Sequence, residues 1–169
     1  YTHLKYTMKS SNNFIAVIII ILTVYWSFSD ITPKVTAADE ELKTTDFSLV
    51  NALYHLKNIS QKTHHTGSPE HKVIQDYIVN ELHKLGLETE IQQKTVINKK
   101  WRASTTPQNI IARIKGSETG KSLLLLTHYD SNPHSSLGAS DAGSGVVTIL
   151  EGLRAFLAKN EQPKNDIII

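Results

Sequence analysis

The 169-residue sequence contains no cysteine, no internal repeat and no low-complexity tract. Without cysteine the chain forms no disulfide of its own, which is compatible with an extracytoplasmic domain and excludes no cellular compartment. The sequence also lacks a strong charge of either sign, because 18 Lys and Arg against 16 Asp and Glu leave a net charge of +2. Its basic residues are scattered without interleaved aromatic side chains, so no nucleic-acid partner is expected.

Only one long apolar run is present, at residues 14–28. It is shorter than the ~20 residues that span a bilayer comfortably, and it is long for the core of a signal peptide, which has about 7–15 residues. Lys5 and Lys9 precede the run and an acidic stretch follows it. The positive-inside rule therefore predicts an uncleaved transmembrane anchor or signal-anchor, with the following domain on the extracytoplasmic side. A cleaved signal peptide and a buried core helix are the alternatives.

These features divide the chain into four parts. Residues 1–13 are predicted to be a cytosolic or untranslated leader, 14–28 the membrane anchor, 29–44 a polar linker and 45–169 a folded domain. A final apolar strand is only begun at the end of the sequence, so we expect the domain to be truncated.

Two helices are predicted at the start of the folded domain. Apolar residues at helical spacing favour a first helix over residues 47–61. The second helix is marked at both ends, because Ser68 is a good N-cap, Pro69 suits the first helical position and Gly86 suits the residue after the last turn. Several histidines lie near its start, and we expect them to be solvated and not to bind a metal: His64, His65 and His71.

Four segments have the pattern of strands, at residues 87–96, 109–115, 123–127 and from 165 onward. The third is a short apolar run that fits a fully buried strand of an α/β sheet. Residues 116–122 nearly match a phosphate-binding loop, but the motif is one residue short and precedes a strand instead of a helix. We therefore interpret them as a hairpin turn and expect no nucleotide partner.

The residues best suited to chemistry follow the third strand. His128 and Asp130 are two positions apart, so on a strand they point to the same face, and a carboxylate is a common partner for the second nitrogen of a metal-binding histidine. Asp141 follows in a loop of small residues that leads directly into an amphipathic helix. Taken alone, each residue also fits a purely structural role: His128 as a histidine at a strand end and Asp141 as a helix N-cap. Their spacing, the glycine pattern and the strand–loop–helix order together favour a metal site at the carboxyl end of the strand.

The motifs HYDS at residues 128–131 and GASDAGSG at 138–145 resemble the co-catalytic zinc aminopeptidase family, which includes bacterial leucyl aminopeptidases, endoplasmic-reticulum metallopeptidases and vacuolar membrane proteases. The tract HHTGSP at 64–69 also resembles that family, which uses none of its histidines as ligands. One departure is Ala142, where the family often has Asp or Asn.

The resemblance implies an α/β fold, as the N-terminal part of a three-layer α/β/α zinc-exopeptidase-like domain with a mixed sheet. It implies that His128 and Asp141 are zinc ligands, that Asp141 bridges two zinc ions and that Asp130 orients His128 for catalysis. The implied activity is that of an aminopeptidase, which hydrolyses N-terminal peptide bonds of peptide or protein substrates with a metal-activated water.

The same resemblance implies that the general base and the remaining ligands follow Ile169, beginning with adjacent glutamates. We therefore expect this fragment alone to bind zinc poorly and to be inactive. Two alternatives remain; the first would share the positions of His128 and Asp141, and the second would share the fold. One is a single-zinc glutaminyl cyclase-like enzyme, and the other is a catalytically silent receptor or scaffold relative.

Overall fold

The computed structural model describes residues 2–29, 31, 42–100, 102–134 and 136–169, without the side chains of residues 2–12. The chain divides into two compact units, Tyr1–Ala37 and Ala38–Ile169. Most of the predicted linker at 29–44 lies outside the described residues, as do residue 1 and most side chains of the predicted leader.

The first unit contains helix α1, Thr2–Ser29. Its described side chains from residue 13 onward are exposed. Among the residues that the structure describes, no helix combines the length and the apolar character needed to cross a membrane. The transmembrane anchor predicted at residues 14–28 stays a prediction.

The second unit begins with helices α2, Leu49–Ile59, and α3, Pro69–Lys84. Both start with a serine cap: the Ser48 side chain accepts a hydrogen bond from the Asn51 amide, and the Ser68 side chain accepts one from the His71 amide. After α3, Gly86 adopts φ +77°, a left-handed conformation that favours glycine at this position. The two predicted helices are thus confirmed to within about two residues at each end.

Six strands follow in chain order: β1 Thr89–Gln93, β2 Val96–Asn98, β3 Ala103–Thr105, β4 Gln108–Ile114, β5 Leu123–Leu124 and β6 Ile167–Ile168. Four of them form a mixed sheet in the order β1-β4-β6-β5, and β2 and β3 form a separate antiparallel pair. Antiparallel pairing joins β1 to β4 and β4 to β6, whereas β5 and β6 are parallel. The predicted strand at 87–96 is divided between β1 and β2.

The predicted hairpin at residues 116–122 is wrong, because β6 lies between β4 and β5. The connection is instead tied to the start of β6. The Asp166 carboxylate accepts a hydrogen bond from the Gly116 amide at 2.7 Å and pairs with the Arg113 guanidinium. A Cβ at Gly116 would lie 2.4 Å from the carbonyl carbon of Asn165, so only glycine permits this approach.

The expectation of a fully buried third strand is also wrong. Leu123 is 54% exposed, and Leu126, just beyond β5, is 82% exposed. The reason is position: β5 is at the edge of the sheet, paired with β6 on one side. A run of leucines cannot reveal from composition alone whether its strand is central or at the edge.

Helix α4, Ser144–Leu157, completes the second unit. One face of β4 is turned into the core, since Ala112 and Ile114 are buried while Arg113 between them is exposed. The buried core cluster combines residues of α2, α3, β4 and α4, together with Leu87: Ala52, Ile59, Ile74, Ile78, Leu82, Leu87, Ala112, Ile114, Val146, Val147, Leu150 and Leu153.

Candidate metal centre

Three polar side chains meet beyond the carboxyl end of β5. His128 and Asp130 lie in the loop that follows this strand, and Asp141 lies in the segment Ala139–Gly143 that leads into α4. The His128 ring is between the two carboxylates: Nδ1 is 3.1 Å from Oδ1 of Asp130, and Nε2 is 2.9 Å from Oδ1 of Asp141. Two carboxylates 11 positions apart in sequence, Asp130 and Asp141, therefore share one histidine.

The two carboxylates favour the protonated form of the His128 imidazole. Partial burial lowers the pKa of the His128 imidazole, but the hydrogen bond with Asp141 and the charge of Asp130 outweigh it, so that the pKa lies above its usual value of 6.5. The side chains of His128 and Asp141 remain accessible, at 53% and 86% exposure. The site is an open one that a ligand can reach from solvent.

Close backbone packing shapes the loop that carries Asp141. A Cβ at Gly143 would lie 2.6 Å from the carbonyl oxygen of Gly138, and one at Gly145 would lie 2.4 Å from Oγ1 of Thr127. The peptide bond between Asp141 and Ala142 is cis. The small residues of this loop thus permit the approach of α4 to the loop after β5.

Tyr129, between His128 and Asp130, anchors their loop to the core. Its hydroxyl donates a hydrogen bond to the Gln108 carbonyl at 2.7 Å and accepts one from Gln75 Nε2 at 3.1 Å. Its ring stacks on His71, with 4.7 Å between centroids and 22° between planes. Burial raises the pKa of the Tyr129 hydroxyl. Sequence reasoning missed this network, because its members are separated by up to 58 positions and meet only in the folded chain.

Two of the three loop histidines are buried, so the expectation that they are solvated is wrong. His64 is 1% exposed and His71 is 5% exposed. His64 donates its amide to the Ser131 hydroxyl at 2.7 Å, and desolvation lowers the pKa of His71. His64 and His71 hold the HYDS loop in place through Ser131 and Tyr129. Neither takes part in the hydrogen bonds that join His128 to the two carboxylates.

Buried Glu151 on α4 is a second residue whose role the sequence did not reveal. Its side chain is 0% exposed and accepts hydrogen bonds from the Ser48 amide at 2.7 Å and from Arg154 at 2.7–2.9 Å. Arg154 also donates to the carbonyls of Thr44 and Asp46. This ion pair fastens the start of α2 to the helix that follows Asp141.

His128 and Asp141 have donor types that zinc accepts. Their Nε2 and Oδ1 atoms are 2.9 Å apart, which is a hydrogen-bond distance. The described residues contain no cluster of three or more His, Cys, Asp or Glu side chains suited to a metal. They therefore supply two donors, fewer than the four or so that zinc takes.

Comparison with known proteins defines the class of this fold. A solved leucine aminopeptidase precursor from Bacteroides thetaiotaomicron is similar, with a TM-score of 0.63 and 26% identity over 76% of this chain and 47% of that protein. A solved glutaminyl cyclase from the same organism has a TM-score of 0.63 and 26% identity, over 75% of this chain and 47% of that protein. The fold resembles that of zinc exopeptidases, and the mixed α/β sheet predicted by the resemblance is confirmed.

The sequence comparisons point to a particular family within that class. Residues 109–169 match peptidase family M28. The vacuolar membrane protease of Candida dubliniensis is 30% identical over 95% of this chain. The resemblance to the co-catalytic zinc aminopeptidase family is thus confirmed. The chain spans 18% of the length of that relative.

Proposed function

We propose that the protein to which this chain contributes is a zinc-dependent metallopeptidase of the aminopeptidase type. The convergence of His128 Nε2 and Asp141 Oδ1 at 2.9 Å, with Asp130 on the other ring nitrogen, carries this proposal. The match of residues 109–169 to a peptidase family supports it.

Each of the three residues has a distinct role in the proposed site. His128 and Asp141 would hold zinc, and the 86% exposed carboxylate of Asp141 would have a second oxygen available for a second ion. Asp130 is a positioning residue, since it accepts the Nδ1 proton of His128 and so leaves Nε2 as the donor atom for a metal. Bound zinc would supply a water of lowered pKa and a Lewis acid for the scissile carbonyl. The proposed site needs further ligands and a general base besides these three residues.

Removal of the positioning carboxylate tests this division of roles. In the full-length protein, Asp130→Ala is expected to weaken zinc affinity about 10–100-fold, because the tautomer and orientation of His128 are no longer held. The measurement is competition for zinc with a coloured chelator. Asp130→Asn, which retains the size of the side chain, separates lost charge from lost volume. An unchanged zinc affinity in both variants would contradict the role of Asp130.

A glutaminyl cyclase is the second candidate function, because a solved cyclase matches this chain with the same TM-score as the aminopeptidase. The two activities are separable in one experiment on the full-length protein. Hydrolysis of leucine p-nitroanilide releases nitroaniline, whereas cyclisation of a peptide with N-terminal glutamine releases ammonia. We expect nitroaniline release that a chelator abolishes and added zinc restores. Ammonia release alone would support the cyclase, and neither activity in a zinc-loaded protein would support a silent scaffold.

We also propose a membrane location for the protein, since the relative from Candida dubliniensis is named a vacuolar membrane protease. The extracytoplasmic placement of residues 45–169 depends on how the N-terminal segment meets the bilayer and stays a prediction.

A further inference from the structure

The β2–β3 hairpin is an exposed cationic protrusion. Every described side chain from residue 91 to 105 is exposed. From residue 94 to 105 the sequence contains four basic residues and no acidic one, a local cluster that corrects the expectation of scattered basic residues. Among the described residues, no ion pair includes three cations of the hairpin: Lys94, Lys99 and Arg102.

The same hairpin exposes aliphatic surface beside these charges. Ile97 is 76% exposed and Val96 is 43% exposed. They are adjacent on β2, so their side chains point to opposite faces of the two-stranded ribbon. Basic and apolar side chains interspersed in this way are typical of segments that lie at a lipid–water interface.

The hairpin projects from the main sheet. Its two strands extend beyond the pair Gln93 and Gln108, which face each other in the register of β1 and β4. Every described side chain of the ribbon is exposed, so a planar surface can contact Ile97 and the neighbouring cations together.

The hairpin also projects from the end of the sheet that carries the candidate metal centre. The Tyr129 hydroxyl bonds the Gln108 carbonyl at 2.7 Å, so the base of the hairpin adjoins the loop of His128 and Asp130. A surface bound by the hairpin would therefore lie on the same side of the domain as the site.

We propose that the β2–β3 hairpin docks on an anionic lipid bilayer, with Ile97 entering the interface and the flanking cations contacting lipid headgroups. Each Lys or Arg near such a surface contributes about 5-fold to partitioning, and the attraction declines with salt. This docking is independent of the proposed peptidase activity, because it uses none of the three site residues.

The absence of cysteine from this chain allows a direct test. Within these 169 residues, Ile97→Cys introduces one thiol for an environment-sensitive fluorophore at the hairpin, and Lys57→Cys introduces one on the exposed side of α2 as the matched control. We expect a blue shift of the label at position 97 on vesicles of 70% phosphatidylcholine and 30% phosphatidylserine. No shift is expected on phosphatidylcholine alone, nor at position 57 on either vesicle.

Charge variants then separate lipid from other anionic partners. The double variant Lys94→Gln and Lys99→Gln should weaken partitioning onto anionic vesicles about 25-fold, because each cation contributes about 5-fold. Lys72→Gln on α3 should leave this partitioning unchanged. Absence of the shift at position 97, or equal shifts at both labelled positions, would overturn the proposal. A shift produced by polyglutamate or RNA but not by anionic vesicles would overturn it in favour of those partners.

Discussion

Asp141→Ala is expected to remove zinc and nearly all peptidase activity from the full-length protein. Asp141 is proposed to bridge two ions, so its loss would affect the binding of both. Loss of a residue that only orients a ligand costs up to about 100-fold in activity, and we expect a larger decrease here. The readouts are zinc content by mass spectrometry and hydrolysis of leucine p-nitroanilide. Normal zinc content and turnover in this variant would refute the proposed site.

The exposed position of Asp141 makes this experiment clean. Its side chain is 86% exposed and contacts His128, so its removal should leave the folded state intact. Asp76→Ala is the matched control, since that carboxylate is 55% exposed on α3 and pairs with Lys72. Equal losses of zinc in both variants would indicate general damage instead of a lost ligand.

Arg154→Leu is expected to lower the free energy of unfolding by about 3–5 kcal/mol, the cost of leaving a buried charge without its partner. Glu151 is 0% exposed, and Arg154 supplies its only cation among the described residues. The Thr44 and Asp46 carbonyls lose a donor in the same variant. Urea unfolding followed by circular dichroism measures the change.

Two further variants assign the cause of this loss. Lys72→Leu removes an exposed i,i+4 ion pair and should cost no more than about 0.5 kcal/mol. Glu151→Leu combined with Arg154→Leu should cost less than Arg154→Leu alone, because no unpaired buried charge remains. A loss below about 1 kcal/mol for Arg154→Leu would show that the Glu151 carboxylate is stabilised by another partner in the variant.

The helices were predictable because their signals are local. Ser68, Pro69 and Gly86 act on neighbouring backbone groups, and the structure has the cap and the left-handed glycine at those positions. The glycine-rich loop is similar, since its small residues indicated close packing and Gly143 and Gly145 leave no room for a Cβ. Short-range hydrogen bonding and sterics are encoded within a few residues, so they can be interpreted without the fold.

Errors occurred where long-range pairing decides the outcome. The insertion of β6 between β4 and β5 turned an expected hairpin into a crossover and left Leu123 exposed at an edge. Burial of His64 and His71 depends on Ser131 and Tyr129, which lie much later in the sequence and contact them only in the folded chain. Nothing in the local pattern of these histidines distinguishes a solvated loop from a buried support.

The chain therefore encodes its family resemblance and its donor types in short motifs, HYDS and GASDAGSG, whose residue types and spacing are readable in one dimension. Folding decides which atoms meet: His128 between two carboxylates, Tyr129 bound to Gln108, and the cationic hairpin on the same side as the candidate metal centre. The physical reason is that strand order and packing bring together residues far apart in sequence, and their distances follow from the sheet as a whole.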